Sequence, residues 1–133
     1  ALSETLASAI NAEAIAAFFD SQPGQLAQQA GDRVLREWPF TYALDAAAMG
    51  ATEKNEIIVL QGIVDMIIPT ADGLVVVDFK TDRVHGDAVE ERANLYTDQL
   101  QHYTRAAGDI LNQPVTTAWL YFLTPQKAIQ IKT

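Results

Sequence analysis

The chain has 133 residues, 49% of them apolar, no cysteine, and a formal net charge of −8. Length and apolar share support one compact core, and the missing cysteines rule out a disulfide framework, a thiolate zinc site and a cysteine-held iron–sulfur cluster. No apolar run approaches the ~20 residues that span a bilayer, and the acidic balance argues against a free-standing nucleic-acid binder, whose grip comes from a basic surface.

The chain opens at Ala1 with no visible signal peptide, so it reads as a fragment of something longer. Leu2 to Asp20 is alanine-rich and reads helical, with Ser3/Glu4 and Asn11/Glu13 as starts of two short helices. Pro23 fits the first turn of a further helix ending near Gly31. Val34 to Leu44 reads as an extended segment with Trp38, Phe40 and Tyr42 on one side. Pro39 confines it to an edge or an irregular strand. Ala46 to Glu56 has no period and reads as a loop.

Ile57 to Ile68 (IIVLQGIVDMII) is a long β-rich run, and Leu74 to Lys80 (LVVVDFK) is a second. The turn chemistry of Pro69 to Gly73 joins them into a hairpin. Thr81 to Asp87 reads as a polar loop. Glu90 to Leu111 reads as a long helix, its buried stripe at Leu95/Tyr96, Gln99/Leu100, Tyr103, Ala106/Ala107 and Ile110. Asn112-Gln113-Pro114 ends it. Val115 to Leu123 is a further strand, and Ala128 to Ile131 a last short one. A helix between the second and third of these strands makes a β-α-β crossover, which sets those two strands parallel.

Asp65, Asp78 and Lys80 interrupt apolar strands. Unpaired charge in a half-buried strand is costly, so each needs a partner or a task. Asp78 and Lys80 alternate onto the same face. A two-residue turn at Ala71-Asp72 sets Asp65 opposite Asp78; one at Asp72-Gly73, the stronger turn dipeptide, sets it opposite Lys80 with Asp78 on the diagonal. Either register gathers all three on one face. Two carboxylates so placed repel unless a cation lies between them. Mg²⁺ suits them, since it takes oxygen ligands and often only one or two protein carboxylates. Lys80 beside it can orient or deprotonate a water, or stabilise transition-state charge. The set fits phosphodiester hydrolysis. A plain surface salt-bridge cluster is the competing reading.

Gly62-Ile63-Val64-Asp65, then Asp78-Phe79-Lys80-Thr81, then Gln99-x-x-x-Tyr103 resembles the G-I-I-D, D-[YF]-K-T and Q-x-x-x-Y motifs of RecB-type nucleases in the PD-(D/E)xK superfamily. Ala118-Trp119-Leu120-Tyr121-Phe122 is similar as well. The likeness runs from about Arg36 to Leu123 and is greatest to the C-terminal nuclease domain of AddAB-type helicase–nucleases. It implies a restriction-endonuclease-like α/β fold, a central mixed β-sheet flanked by helices. It implies Asp65, Asp78 and the Phe79 backbone carbonyl as Mg²⁺ ligands (Mn²⁺ a possible substitute) and Lys80 as the catalytic lysine. Gln99 and Tyr103, which share a helix face, would support the lysine or position DNA. Arg36-Glu37-Trp38-Pro39-Phe40 resembles the family's R-E-x-P-F segment, making Glu37 an accessory ligand.

The family's G-x-x-x-H histidine has no counterpart, and His85 and His102 read as solvated. The expectation is therefore a single nuclease-domain fragment, residues 1–32 helical and 33–133 the catalytic core, cut from a larger bacterial cytoplasmic helicase–nuclease. Its partners would be single-stranded DNA, a helicase domain of the same parent chain and a second subunit, with no membrane. ATP would serve only that helicase domain, because the chain has no G-x-x-x-x-G-K-[ST] loop. The alternative is a catalytically inactive docking or DNA-guiding module, which the missing histidine and the acidic charge favour.

Overall fold

The structure is a computed structural model that describes residues 4–45 and 57–132. The expected loop at Ala46 to Glu56 lies outside them. Along the chain run α1 (Glu4–Asp20), α2 (Gln22–Ala30), a 3-10 turn (Gly31–Arg33), β1 (Leu35–Asp45), β2 (Ile57–Thr70), β3 (Gly73–Arg83), α3 (Ala88–Leu111), β4 (Val115–Thr124) and β5 (Lys127–Ile131). The strands form one mixed sheet in the order β1-β2-β3-β4-β5. All neighbours are antiparallel except β3 and β4, which are parallel. The crossover through α3 imposes that direction, as expected.

Helices cover both faces, so the central strands are apolar on both sides. On one face Val64, Ile67, Leu74, Val76, Leu120 and Phe122 pack toward Val89, Leu100 and Ala107 of α3. On the other, Met66, Ile68, Val75, Val77, Trp119 and Tyr121 meet Phe18 of α1 and Ala27 and Ala30 of α2. Phe18 anchors that face, its ring 5.0 Å from Phe79 and 5.1 Å from Tyr121, both near-perpendicular.

Several sequence expectations change. The first helix is one helix of 17 residues; Asn11 does not break it, because the alanine-rich flanks carry the helix through. Pro23 does sit at the start of α2, whose N-cap Ser21 accepts a hydrogen bond from the Gly24 amide. The strand β3 continues through Thr81 and Asp82 to Arg83, in place of the expected loop, because β4 runs beside it and pairs Arg83 with Thr124. The buried stripe of α3 is Val89, Ala93, Leu100, Thr104, Ala106 and Ala107. Leu95 and Ile110 instead face solvent, 74% and 44% exposed. The sheet meets α3 through Val89 and Leu100 and through the small residues Ala93, Ala106 and Ala107, and Leu95 and Ile110 lie off that face.

The turn between β2 and β3 settles the register. Thr70 pairs with Gly73 and Met66 with Val77, so the two-residue turn is Ala71-Asp72. Gly73 has φ 144°, and a Cβ there would lie 2.4 Å from the Pro114 carbonyl oxygen. That same carbonyl accepts the Leu74 amide at 2.8 Å. Gly73 is therefore spent on docking the hairpin end against the start of β4, not on the turn itself.

Candidate active site

The β2–β3 ladder stops at Met66–Val77. The next pair in that register is Asp65 and Asp78, and here the strands part. In place of a backbone carbonyl, Asp65 Oδ2 accepts the Phe79 amide at 2.8 Å. In a strand, the N–H and C=O of one residue point to the same edge. The Phe79 carbonyl thus faces the same gap, beyond the last ladder pair.

The β1–β2 ladder skips at the same level. Arg36 pairs with Met66 and Trp38 with Val64, but Glu37 and Asp65 are not paired. Glu37 has φ 48°, a conformation that costs an L-residue energy and clusters at functional sites. On either side of the skip the faces exchange: Val64 packs toward α3 and Met66 toward α1 and α2. Asp65 stands at the crossover point. It also lines a cleft of about 510 Å³ with Arg36, Glu37, Met66 and Phe79.

Asp78 is a buried charged residue, 6% exposed. Lys80 Nζ lies 2.8 Å from its Oδ2. Burial, and then the Asp65 carboxyl within hydrogen-bonding reach, push Asp78 up to about 7, against the pull of Lys80. The pair so arranged wants either a shared proton or a cation. An all-oxygen set of two carboxylates and a gap-facing carbonyl suits a hard divalent ion such as Mg²⁺ or Mn²⁺. Among the described residues, no group of three His, Cys, Asp or Glu side chains comes together around a metal-sized point. Glu37 shares the cleft with Asp65 without completing such a group.

From α3, Gln99 Oε1 accepts a hydrogen bond from Lys80 Nζ at 3.3 Å, and Gln99 Nε2 donates to the Tyr103 hydroxyl at 3.4 Å. Burial, and then the negative charge of Asp78, raise the Tyr103 hydroxyl above its usual range. Its ring meets Phe40 edge-on at 5.2 Å. The structure thus gathers Asp65, Asp78, Phe79, Lys80, Gln99 and Tyr103 where β2 and β3 part. His85 is exposed and His102 half-buried.

The close fit of Tyr103 depends on Gly62. A Cβ at Gly62 would lie 2.9 Å from the Tyr103 hydroxyl oxygen and 3.0 Å from Phe40 Cε1. Gly62→Val is therefore expected to destabilise the protein by about 1–3 kcal/mol through overpacking. Because it also displaces Tyr103 from Gln99, chemical denaturation of this variant should show the loss, and Gly62→Val with Phe40→Leu should recover part of it.

Sequence reasoning missed a second group beside Lys80. Asp78, Lys80 and Asp82 alternate along β3 toward α3. The ammonium of Lys80 lies 4.0 Å from the centroid of the Tyr96 ring. The Tyr96 hydroxyl donates to Asp82 at 2.9 Å, and Arg92 pairs with the same carboxylate at 2.7 Å. Although burial works the other way, bonds from Tyr96 and Arg92 hold the Asp82 carboxyl below its ordinary value. The polar loop expected at Asp82 conceals the group; with β3 extended, the period-two alternation exposes it.

Comparison with known proteins gives the family of the chain. Residues 2–132 match the model of the PD-(D/E)XK nuclease superfamily. An ATP-dependent helicase/nuclease subunit of Listeria innocua is 36% identical over 98% of this chain and 11% of its own length. The proteins of the same name from Carboxydothermus hydrogenoformans and Pelotomaculum thermopropionicum are 37% and 38% identical over 76% and 90% of this chain, and 9% and 10% of theirs. The chain therefore spans about a tenth of the length of the curated relatives it matches. Among the described residues, no helix is long and apolar enough to cross a membrane.

Proposed function

Since the chain belongs to the PD-(D/E)XK nuclease superfamily, we propose that it is the Mg²⁺-dependent nuclease domain of a bacterial, cytoplasmic helicase–nuclease that cuts single-stranded DNA during double-strand break processing. The observation that carries this reading is the parting of β2 from β3 at Asp65 and Asp78, with Lys80 fixed 2.8 Å from Asp78. A divalent ion held there by Asp65, Asp78 and the Phe79 carbonyl would supply Lewis-acid stabilisation of the phosphate oxygens. Glu37, in the same cleft as Asp65, is proposed as an accessory ligand.

The chain's own residues supply the rest. Asp78 and Gln99 hold the Lys80 ammonium at the edge of the carboxylate pair. From there it orients the attacking water by hydrogen bonding, or stabilises charge on the phosphate as the bond breaks. Tyr103, through Gln99 and Phe40, fixes the floor beneath the lysine. The net charge of −8 leaves the grip on DNA to other parts of the parent protein: a helicase domain in the same chain, which would spend the ATP, and a second subunit.

The lack of a third acid or histidine among the described residues favours a second reading, a nuclease-like module that docks or guides DNA without cutting it. One experiment separates the two. Full-length protein should cut end-labelled single-stranded DNA with Mg²⁺ or Mn²⁺ and stop when a chelator is added. DNA binding without cleavage under any divalent ion would establish the docking module instead.

A further inference from the structure

We infer that Tyr96 is a positioning residue for the reaction, and that it acts through the face of its ring on the ammonium of Lys80. The inference rests on the nuclease reading above. Three contacts surround Lys80 Nζ: Asp78 Oδ2 at 2.8 Å, Gln99 Oε1 at 3.3 Å and the Tyr96 ring centroid at 4.0 Å. The first two are hydrogen-bond acceptors and fix two directions. The ring closes a third side, offering the negative face of its quadrupole without accepting a proton. A lysine stem has four rotatable bonds, and two acceptors alone leave its end free to swing. A ring beneath the charge removes that freedom.

The ring is itself held from behind. Its hydroxyl donates to both oxygens of Asp82, at 3.0 and 2.9 Å, and Asp82 is paired with Arg92 at 2.7 Å. Arg92 and Tyr96 are one helical turn apart, and Tyr96 and Gln99 share the next turn of the same face. Asp82 lies two residues past Lys80 on the same strand face. Strand and helix are thus tied together on the far side of the lysine from the carboxylate pair. This arrangement makes Tyr96 part of the lysine's support, not of the metal site. A lysine displaced by a fraction of an ångström loses rate without losing substrate affinity.

The test is steady-state cleavage of single-stranded DNA by the full-length protein with Mg²⁺. Tyr96→Leu should lower kcat by about 10- to 100-fold, with KM within about twofold of the parent value. Tyr96→Phe, which keeps the ring, should stay within about threefold. Lys80→Ala with Tyr96→Leu should be no slower than Lys80→Ala alone, because both act at one point. A series of phenylalanines at position 96 bearing one, two and three ring fluorines keeps shape and packing while draining the ring's negative face. Across it kcat should fall stepwise with KM unchanged, and this series decides the matter even if Tyr96→Leu does not fold. A flat fluorine series, an effect on KM alone, or a fully active Tyr96→Leu overturns the inference. An unsubstituted protein that cuts nothing overturns the nuclease reading and this inference with it, whereas an active parent with a flat series overturns this inference only.

Discussion

Asp78→Ala is expected to lower the single-stranded DNA cleavage rate of the full-length protein by roughly three orders of magnitude or more. Of the residues gathered at the site, Asp78 belongs both to the carboxylate pair and to the contacts that hold Lys80. It faces Asp65 across the gap between β2 and β3, and it is the closest polar contact of Lys80 at 2.8 Å. Removing it takes away one of two carboxylates and releases the lysine at the same time. The two losses act at one point and should not add. Asp78→Ala, Lys80→Ala and the double variant should therefore show similar residual rates in single-turnover cleavage. Residual activity in Asp78→Ala within tenfold of the parent would place the chemistry elsewhere.

The second large effect runs in the opposite direction. In chelator, Asp78→Asn should be more stable than the parent protein at pH 8. Asp78 titrates at about 7 in the folded chain against 3.8 for the free side chain. Between those values the folded chain holds a proton that the unfolded chain has released, so stability falls as pH rises. Below 3.8 the group contributes no penalty, and above 7 the penalty is complete. Asparagine removes the buried charge while keeping the shape. The pull of Lys80 is already contained in the value of about 7, so the gain is on the order of 2–4 kcal/mol, or several degrees of melting temperature. Thermal unfolding from pH 4 to pH 9 in chelator should show a downward slope for the parent that is absent in Asp78→Asn. Mg²⁺ should raise the melting temperature of the parent at pH 8 and leave that of Asp78→Asn nearly unmoved. Lost activity with gained stability is the pattern of a site that holds charge against its own fold.

The hairpin, its three intrusive charges and the crossover helix are legible in the sequence because each rests on local pattern: β-rich runs, period-two alternation and a helical segment between strands. The two hairpin registers are not separable from the turn residues alone. Asp72-Gly73 is the better turn dipeptide, yet the structure turns at Ala71-Asp72, because Gly73 is needed against the Pro114 carbonyl more than 40 residues away in sequence. The same kind of long-range contact explains the end of β3. Thr81 to Arg83 reads as loop until β4 is laid beside it.

The site is only half written in local pattern. Asp65, Asp78 and Lys80 stand out as charges in apolar strands, and Gln99 and Tyr103 enter through the family resemblance. Tyr96 reads as one more buried position on α3; the identity of its partners, Lys80 and Asp82, depends on how the helix is rotated over the sheet. Helical spacing sets Leu95 and Ile110 on the wrong side of that helix for the same reason. Rotation about a helix axis is fixed by close packing of Ala93, Ala106 and Ala107 against the strands, and alanines mark a face too weakly for the sequence to reveal it.

The Phe79 amide is bonded to a side chain where a neighbouring strand would ordinarily take it. Its protection from solvent hydrogen exchange therefore follows the position of the Asp65 side chain, whereas the amides of Val75 and Val77 follow the opening of the whole sheet. The centre of the β-sheet thus contains one backbone group whose exchange clock is set by the placing of a single side chain, and that clock reads the state of the site with the fold intact.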